Sequence, residues 1–270
     1  MGQGYLEGYH RLKKMLAQWR SVLVAFSGGV DSTLLLKIAT DVLDAHAVAV
    51  TAVSDTLSQA ELAFAQQFTH DHGIHHILLN TPEMDDPQFI RNDTRKCYHC
   101  KKIRFKCLTD YANAHHVPVV LDGANMDDMD DYRPGIQAAR ELGIKSPFVD
   151  AGLTKENIRS ISQDIGLSTW NKPAYACLAT RIPYGRPITR AKLTTVDMGE
   201  TFLRDLGLNP ALRVRHYDDT ARLEIASEDM PKVVSTPCRK SIILYFKSLG
   251  FTYITLDMEG FRSGSMNQTL

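Results

Sequence analysis

Two spacings of apolar residues alternate through the first half of the chain, and each predicts a different element. Val22-Leu23-Val24-Ala25-Phe26 and Ala47-Val48-Ala49-Val50-Thr51-Ala52-Val53 are short and almost unbroken, the pattern of buried strands. Between them Leu34, Leu35, Leu36, Ile38, Ala39, Val42 and Leu43 recur at helical period. Ser58 and Glu61 form a capping-box pattern that opens a helix running to about Gly73, and His75-His76-Ile77-Leu78-Leu79 follows as a shorter strand. A further helix ends near His115, and Val117-Pro118-Val119-Val120-Leu121 is a fourth strand. Strands and helices in this alternation predict an α/β fold, a doubly wound parallel sheet that binds ligands at the carboxyl ends of its strands. Additional helices are expected from Pro134 to Leu142 and from a cap at Thr154 to about Ile165, and the N-terminal stretch MGQGYLEGYHRLKKMLAQWR reads as an amphipathic helix.

The pattern changes after Trp170. A long connector, Trp170 to Gly185, ends in a cluster of Pro and Gly over Pro183–Pro187 that marks a boundary. Beyond it come a helix near Ala191–Leu206, two alternating runs (Leu212–Tyr217 and Ala221–Ile225) joined at Asp218-Asp219, a helix near Arg239–Leu249 and a strand at Thr252–Leu256. The alternation predicts a hairpin with one wet face. The chain therefore divides into residues 1–182 and a smaller α+β domain, 183–270.

Composition narrows the class. The 270 residues are 44% hydrophobic, enough for a sizeable core, and no apolar run is long enough to span a membrane. Lys+Arg and Asp+Glu balance at 31 each, which weighs against a nucleic-acid partner. Five cysteines with no secretory signal fit reduced thiols and a cytoplasmic location.

The chemistry starts at Ser27-Gly28-Gly29-Val30-Asp31-Ser32, which joins the first strand to the first long helix. Glycines there let backbone N–H groups converge, and the helix N-terminus adds its own N–H groups and dipole, so the junction is an anion site. Ser27 and Ser32 can supplement it with hydroxyls. No Lys follows Gly29, so this is not the Walker pattern. After the fourth strand, Asp122-Gly123-Ala124-Asn125-Met126-Asp127-Asp128 and then Asp130 and Asp131 place acids where Mg²⁺ would meet phosphates; a solvated acidic loop is the alternative.

Cys97 and Cys100 form C-x-x-C at the start of a helix, a position that favours thiolates. The pair is compatible with a zinc site short of ligands, a redox dithiol, two inert thiols, or, with Cys177, three ligands of a [4Fe–4S] cluster that leave one iron open. Cys107 and Cys238 read as packing residues.

SGGVDS resembles the PP-loop of ATP pyrophosphatases. The wider set of motifs (SGGVDST, the C-x-x-C-K-K block, LDGANMDDMDDYRPG, NKPAYACLATRIPYG, LRVRHYDD-x-ARLEI and TLDMEGFRSGSMN) resembles the LarE family from about Val22 to Asn267. The resemblance implies a PP-loop ATP pyrophosphatase domain that grips the β,γ-phosphates with Ser27, Gly28, Gly29, Val30, Asp31, Ser32 and Gly123. It implies an ATP-dependent sulfurtransferase that adenylates a carboxylate of pyridinium-3,5-biscarboxylic acid mononucleotide and converts it to a thiocarboxylate for the nickel-pincer nucleotide of lactate racemase. Cys177, Asp31 and Arg181 are the implied catalytic residues. Arg181, Arg213, Arg215 and Glu200 are the implied substrate contacts, and Asp31 and Asp127 the implied Mg²⁺ ligands. One branch of the family sacrifices a cysteine sulfur, and another uses a [4Fe–4S] cluster. The sacrificial cysteine aligns with Ala176 here, while the thiol stands one residue later at Cys177 and the C-x-x-C is present, which favours a cluster on Cys97, Cys100 and Cys177. A sacrificial Cys177 is the alternative, and a tRNA thiolation enzyme or an NAD-synthetase-like ligase are the rival classes. The partners implied are the pyridinium mononucleotide, a sulfide source, other cofactor-maturation proteins and further copies of this chain, with no nucleic acid and no membrane.

Overall fold

The computed structural model describes residues 5–129, 134–173, 176–262 and 264–266. In chain order the elements are α1 (Leu6–Leu16), β1 (Val22–Ala25), α2 (Val30–Leu43), β2 (Ala47–Val53), α3 (Gln59–Asp71), β3 (His76–Asn80), α4 (Pro87–Ile90), α5 (Lys96–Ala114), β4 (Val119–Leu121), α6 (Pro134–Glu141), α7 (Pro147–Asp150), α8 (Lys155–Asp164), α9 (Arg190–Asp205), β5 (Arg213–Tyr217), β6 (Thr220–Glu224), α10 (Met230–Val234), α11 (Thr236–Ser248) and β7 (Tyr253–Leu256). Residues 1–54, 60–83 and 97–175 form one compact unit, and 55–59, 84–96 and 176–270 a second.

The first unit is built on a parallel sheet of order β3-β2-β1-β4, the expected α/β architecture. β1, β2 and β4 are buried on both faces by alternation, while the edge strand β3 is only partly covered. Val22, Val24, Ala49 and Leu121 enter one core with α1, α2 and α8, while Leu23, Val50 and Val120 enter the opposite core with α5 and α6. β1 ends at Ala25, but the Phe26 N–H still bonds the Val50 carbonyl at 2.9 Å, so the pairing persists for the predicted length. β4 starts only at Val119, because Pro118 has no N–H to give to a ladder. The chain moves outward from β1 to β2 to β3 and then returns to the other side of β1 for β4. That reversal makes the carboxyl ends of β1 and β4 the switch point of the sheet, where a ligand crevice forms.

The second unit holds a three-stranded sheet, β5-β6-β7, with β5 and β6 antiparallel and β6 and β7 parallel. The wet face predicted for the hairpin is not there: Arg213, Val214, Arg215 and His216 are all buried. Carboxylates inside the unit neutralise the arginines, which is what allows so charged a strand to be enclosed. The Pro/Gly cluster does not end a unit either, since residues 176–182 pack with those that follow. Asn92 explains this. Its Nδ2 donates to the carbonyls of Ile182, Pro183 and Arg186 at 3.2, 2.8 and 2.8 Å, so the turn is clamped from within its own unit. Among the described residues no helix is long and apolar enough to cross a membrane.

Leu35, fully buried in α2, tests the packing that positions the loop before it. Leu35→Ala should cost about 2–5 kcal/mol, read as a lower urea midpoint with an unchanged slope.

Candidate functional site

In the first unit the loop between β1 and α2 closes on itself. The Ser27 N–H donates to Ser32 Oγ at 3.2 Å, the Ser27 and Ser32 hydroxyls are 3.1 Å apart, and Ser32 Oγ donates to the Gly29 carbonyl at 3.2 Å. Gly28 has φ +72, a left-handed backbone in which a Cβ would also lie 2.9 Å from the Phe64 ring. Gly29 occupies the N-cap of α2 and among the described residues no side chain caps that helix, so its first-turn N–H groups are available to an anion. Gly123, just past β4, passes so close that a Cβ would meet Ser32 N and Asp31 Cβ at 3.1 Å each. Ser27, Gly28, Gly29, Val30, Asp31, Ser32 and Gly123 are thus gathered at the switch point.

Two lysines join them that the loop motif does not contain. Lys155, the first residue of α8, is held there by a capping box between Thr154 and Asn157 and bonds Asp31 Oδ2 at 2.5 Å. Its backbone N–H donates to Asp127 Oδ2 at 3.0 Å, while Asn125 Nδ2 reaches Asp31 Oδ1 at 3.3 Å, so Asp31 and Asp127 share a lysine. Lys172 donates to the Gly28 carbonyl at 3.0 Å and to Glu61 Oε2 at 2.9 Å, and its Nζ lies 3.9 Å from the Phe64 ring centroid. Glu61, read from the sequence as half of a helix cap, accepts this lysine. Asp130 and Asp131 lie outside the described residues.

In the second unit, Arg181 and Glu200 are both fully buried and face each other in a fork, Nε to Oε1 at 2.7 Å and Nη2 to Oε2 at 3.0 Å. Glu200 also accepts from Arg204 Nη2 at 3.0 Å and the Val214 N–H at 3.1 Å. Burial works to raise the Glu200 carboxyl, but the charge and hydrogen bonds of Arg181, with Arg213 and Arg204, overcome it and hold it below the usual range. Glu224 is likewise held low against burial by Arg215 and Arg222. Arg215 donates to Glu224 at 2.7 Å, to Ser265 Oγ at 2.7 Å and to the Thr180 carbonyl at 2.8 Å, and its buried Nε has no partner among the described residues. The Arg213 guanidinium donates to the Leu212 carbonyl and lies 4.8 Å from the Phe261 ring centroid.

The thiols are divided between the units. Cys97 (exposed) and Cys100 (buried) stand one turn apart at the start of α5 in the first unit; Cys177, half-buried, belongs to the second. Cys107, Cys177 and Cys238 are free thiols. Among the described residues no three His, Cys, Asp or Glu side chains are gathered as a metal site. For Mg²⁺ this is no obstacle, since one or two carboxylates and the substrate's phosphates are its usual ligands, and Asp31 and Asp127 are of that kind. For a [4Fe–4S] cluster the donor type fits at Cys97 and Cys100, thiols one helical turn apart on α5. Burial, with Asp110 and Glu83 nearby, raises the Cys107 thiol, as suits a packing residue.

Residues 6–131 match the PP-loop domain. A protein of Synechocystis is 43% identical over 259 residues, 96% of each chain. A protein of Lactiplantibacillus plantarum, pyridinium-3,5-bisthiocarboxylic acid mononucleotide synthase, is 38% identical over 256 residues, 94% of this chain and 92% of its own. The chain belongs to the LarE family. A protein of Methanocaldococcus jannaschii, 30% identical over 246 residues, covers 90% of this chain and 92% of its own. LarE membership thus extends beyond the PP-loop domain into the second unit, where the Arg181–Glu200 and Arg215–Glu224 pairs lie.

Gly123→Ala should weaken ATP binding by tenfold or more, about 1.4 kcal/mol or above, with the fold retained, measured by calorimetry and circular dichroism. For the buried pair the sign follows from Glu200. Its folded-state pKa lies below the ordinary 4.5, so its contribution is complete above that pH and is lost as pH falls through the depressed value. Glu200→Gln should cost about 3–5 kcal/mol at neutral pH and flatten the acid limb of the stability profile, which denaturant titrations across the acid range will read.

Proposed function

We propose that this protein is an ATP-dependent sulfurtransferase acting on pyridinium-3,5-biscarboxylic acid mononucleotide, forming AMP and pyrophosphate and supplying the bis-thiocarboxylate from which the nickel-pincer nucleotide is made. The observation that carries the reading is the glycine-lined cradle at the α2 N-terminus, closed by Gly123. Family membership and the name of the Lactiplantibacillus relative support the substrate.

A carboxylate is a poor electrophile because its leaving group would be oxide. In the proposed reaction one substrate carboxylate oxygen attacks the α-phosphorus of ATP, the α–β bridging bond breaks, and pyrophosphate leaves. The α2 N–H groups and the Ser27 and Ser32 hydroxyls stabilise the charge that collects on the departing phosphates. Lys155 and Lys172 supply the cations that the loop lacks. Mg²⁺, held by Asp31 and Asp127, would supply further charge stabilisation when bound. A sulfur nucleophile then attacks the acyl carbon and AMP leaves with the original carboxylate oxygen. The sequence repeats on the second carboxylate. Arg213 and Arg215 hold the substrate's anionic groups, and the unpartnered Nε of Arg215 supports this.

Sulfur enters through Cys177. With Cys97 and Cys100 it would hold a [4Fe–4S] cluster, which when bound supplies a transferable sulfide nucleophilic at neutral pH. The protein works in the cytoplasm as a homo-oligomer, takes sulfide from a separate source and passes its product to other maturation proteins.

Cys177→Ala should keep dicarboxylate-dependent pyrophosphate release and lose thiocarboxylate formation, followed by mass spectrometry of the product. A variant with full thiocarboxylate yield would contradict the assignment. An anaerobic assay of wild-type protein should find about four irons per chain. Metal-free protein that turns over once would assign Cys177 as a sacrificial donor.

A further inference from the structure

The segment carrying Cys177 is held by its carbonyl groups. Arg181 Nη1 donates to the carbonyls of Ala176 and Cys177 at 2.6 and 3.3 Å and to Thr180 Oγ1 at 3.0 Å. Thr180 returns to the same place, its Oγ1 and N–H reaching the Cys177 carbonyl at 2.8 and 3.0 Å. Arg215 takes the Thr180 carbonyl at 2.8 Å, and Lys96, also buried, lies 3.5 Å from that of Ala179. The Leu178 N–H is fixed on the Thr56 carbonyl at 2.9 Å.

Arg181 is the centre of this arrangement and is unsuited to meeting a substrate. It is 0% exposed, and each guanidinium nitrogen already donates, Nε and Nη2 to the two oxygens of Glu200 and Nη1 to the Cys177 segment. An incoming phosphate or carboxylate would have to displace Glu200, leaving that buried carboxylate without its fork partner. Glu200, fixed in turn by Arg204 and the Val214 N–H, anchors the guanidinium to α9 and β5. The planar fork therefore transmits the rigidity of a helix and a strand to a segment that holds a single short 3-10 turn, Leu178–Arg181, and no strand ladder.

We infer that Arg181 is a positioning residue for Cys177 and not a substrate ligand: anchored by Glu200, it sets the backbone from Ala176 to Thr180 so that the thiol stands where sulfur transfer requires. This replaces the substrate contact implied for Arg181 by resemblance, and it rests on the reading of Cys177 as the sulfur-handling residue.

The test compares wild-type protein with Arg181→Lys and Thr180→Val. Lysine keeps the charge but cannot span two carboxylate oxygens and two carbonyls. Valine removes only the hydroxyl at the half-buried Thr180 and leaves Glu200 paired, so it reads the clamp even should Arg181→Lys fail to fold. In both variants iodoacetamide should modify Cys177 several-fold faster, measured on its peptide, and amide exchange should accelerate over residues 178–182. In Arg181→Lys, thiocarboxylate formation should fall about a hundredfold, the scale of a misplaced reacting group, while KM for the dicarboxylate stays within about twofold. A KM raised about tenfold or more with unchanged alkylation and exchange would make Arg181 a substrate ligand and overturn the inference. Unchanged alkylation and exchange in Thr180→Val would also count against the clamp. Wild-type protein that forms no thiocarboxylate contradicts the functional reading alone, since alkylation and exchange need no substrate.

Discussion

A helix start that no side chain caps among the described residues is the constraint around which the first unit is arranged. The α2 N–H groups stay open for a phosphate only if the loop before them is rigid by other means. The Ser27–Ser32 contacts tie the loop's ends together, Phe64 and Lys172 brace Gly28 from one side, and Gly123 presses from the other. Each brace comes from a different element. The loop sits at the carboxyl ends of the neighbouring strands β1 and β4, where the order of the sheet reverses and the loops that follow the two strands come together.

Charge is treated differently in the second unit, where it is enclosed. In the interior Glu200 receives the Arg181 fork and a single bond from Arg204, and Glu224 receives one bond each from Arg215 and Arg222. Buried ion pairs of this kind contribute little net stability against apolar alternatives, because desolvation offsets much of their attraction. Their value here is directional: a guanidinium fixed at two oxygens has its remaining N–H groups aimed, and those of Arg181 and Arg215 are aimed at the carbonyls around Cys177.

Much of this was legible in the residues. Unbroken apolar runs at Val22, Ala47 and Val119 revealed a sheet covered on both faces, and the loop motif located the anion site, because glycine and helix-start signals are local. The roles of Lys155 and Lys172 beside the loop were not legible, because they depend on which strand ends the topology brings together; the Thr154 cap marked only that a helix begins there. The Arg213 and Arg215 alternation suggested a wet face, since nothing nearby in sequence announced that Glu200 and Glu224 would receive such charges. Asn92 carried no motif at all, yet it joins 84–96 to the segment after Ile182 in the second unit.

The central claim is that the cradle activates a carboxylate by joining it to the α-phosphorus of ATP. Substrate labelled with ¹⁸O in its carboxylates reports that bond directly, because one labelled oxygen must leave with the nucleotide. The account predicts ¹⁸O in the phosphate of AMP, one atom for each thiocarboxylate formed. Label retained wholly in the product, or found in inorganic phosphate beside ADP, would contradict it.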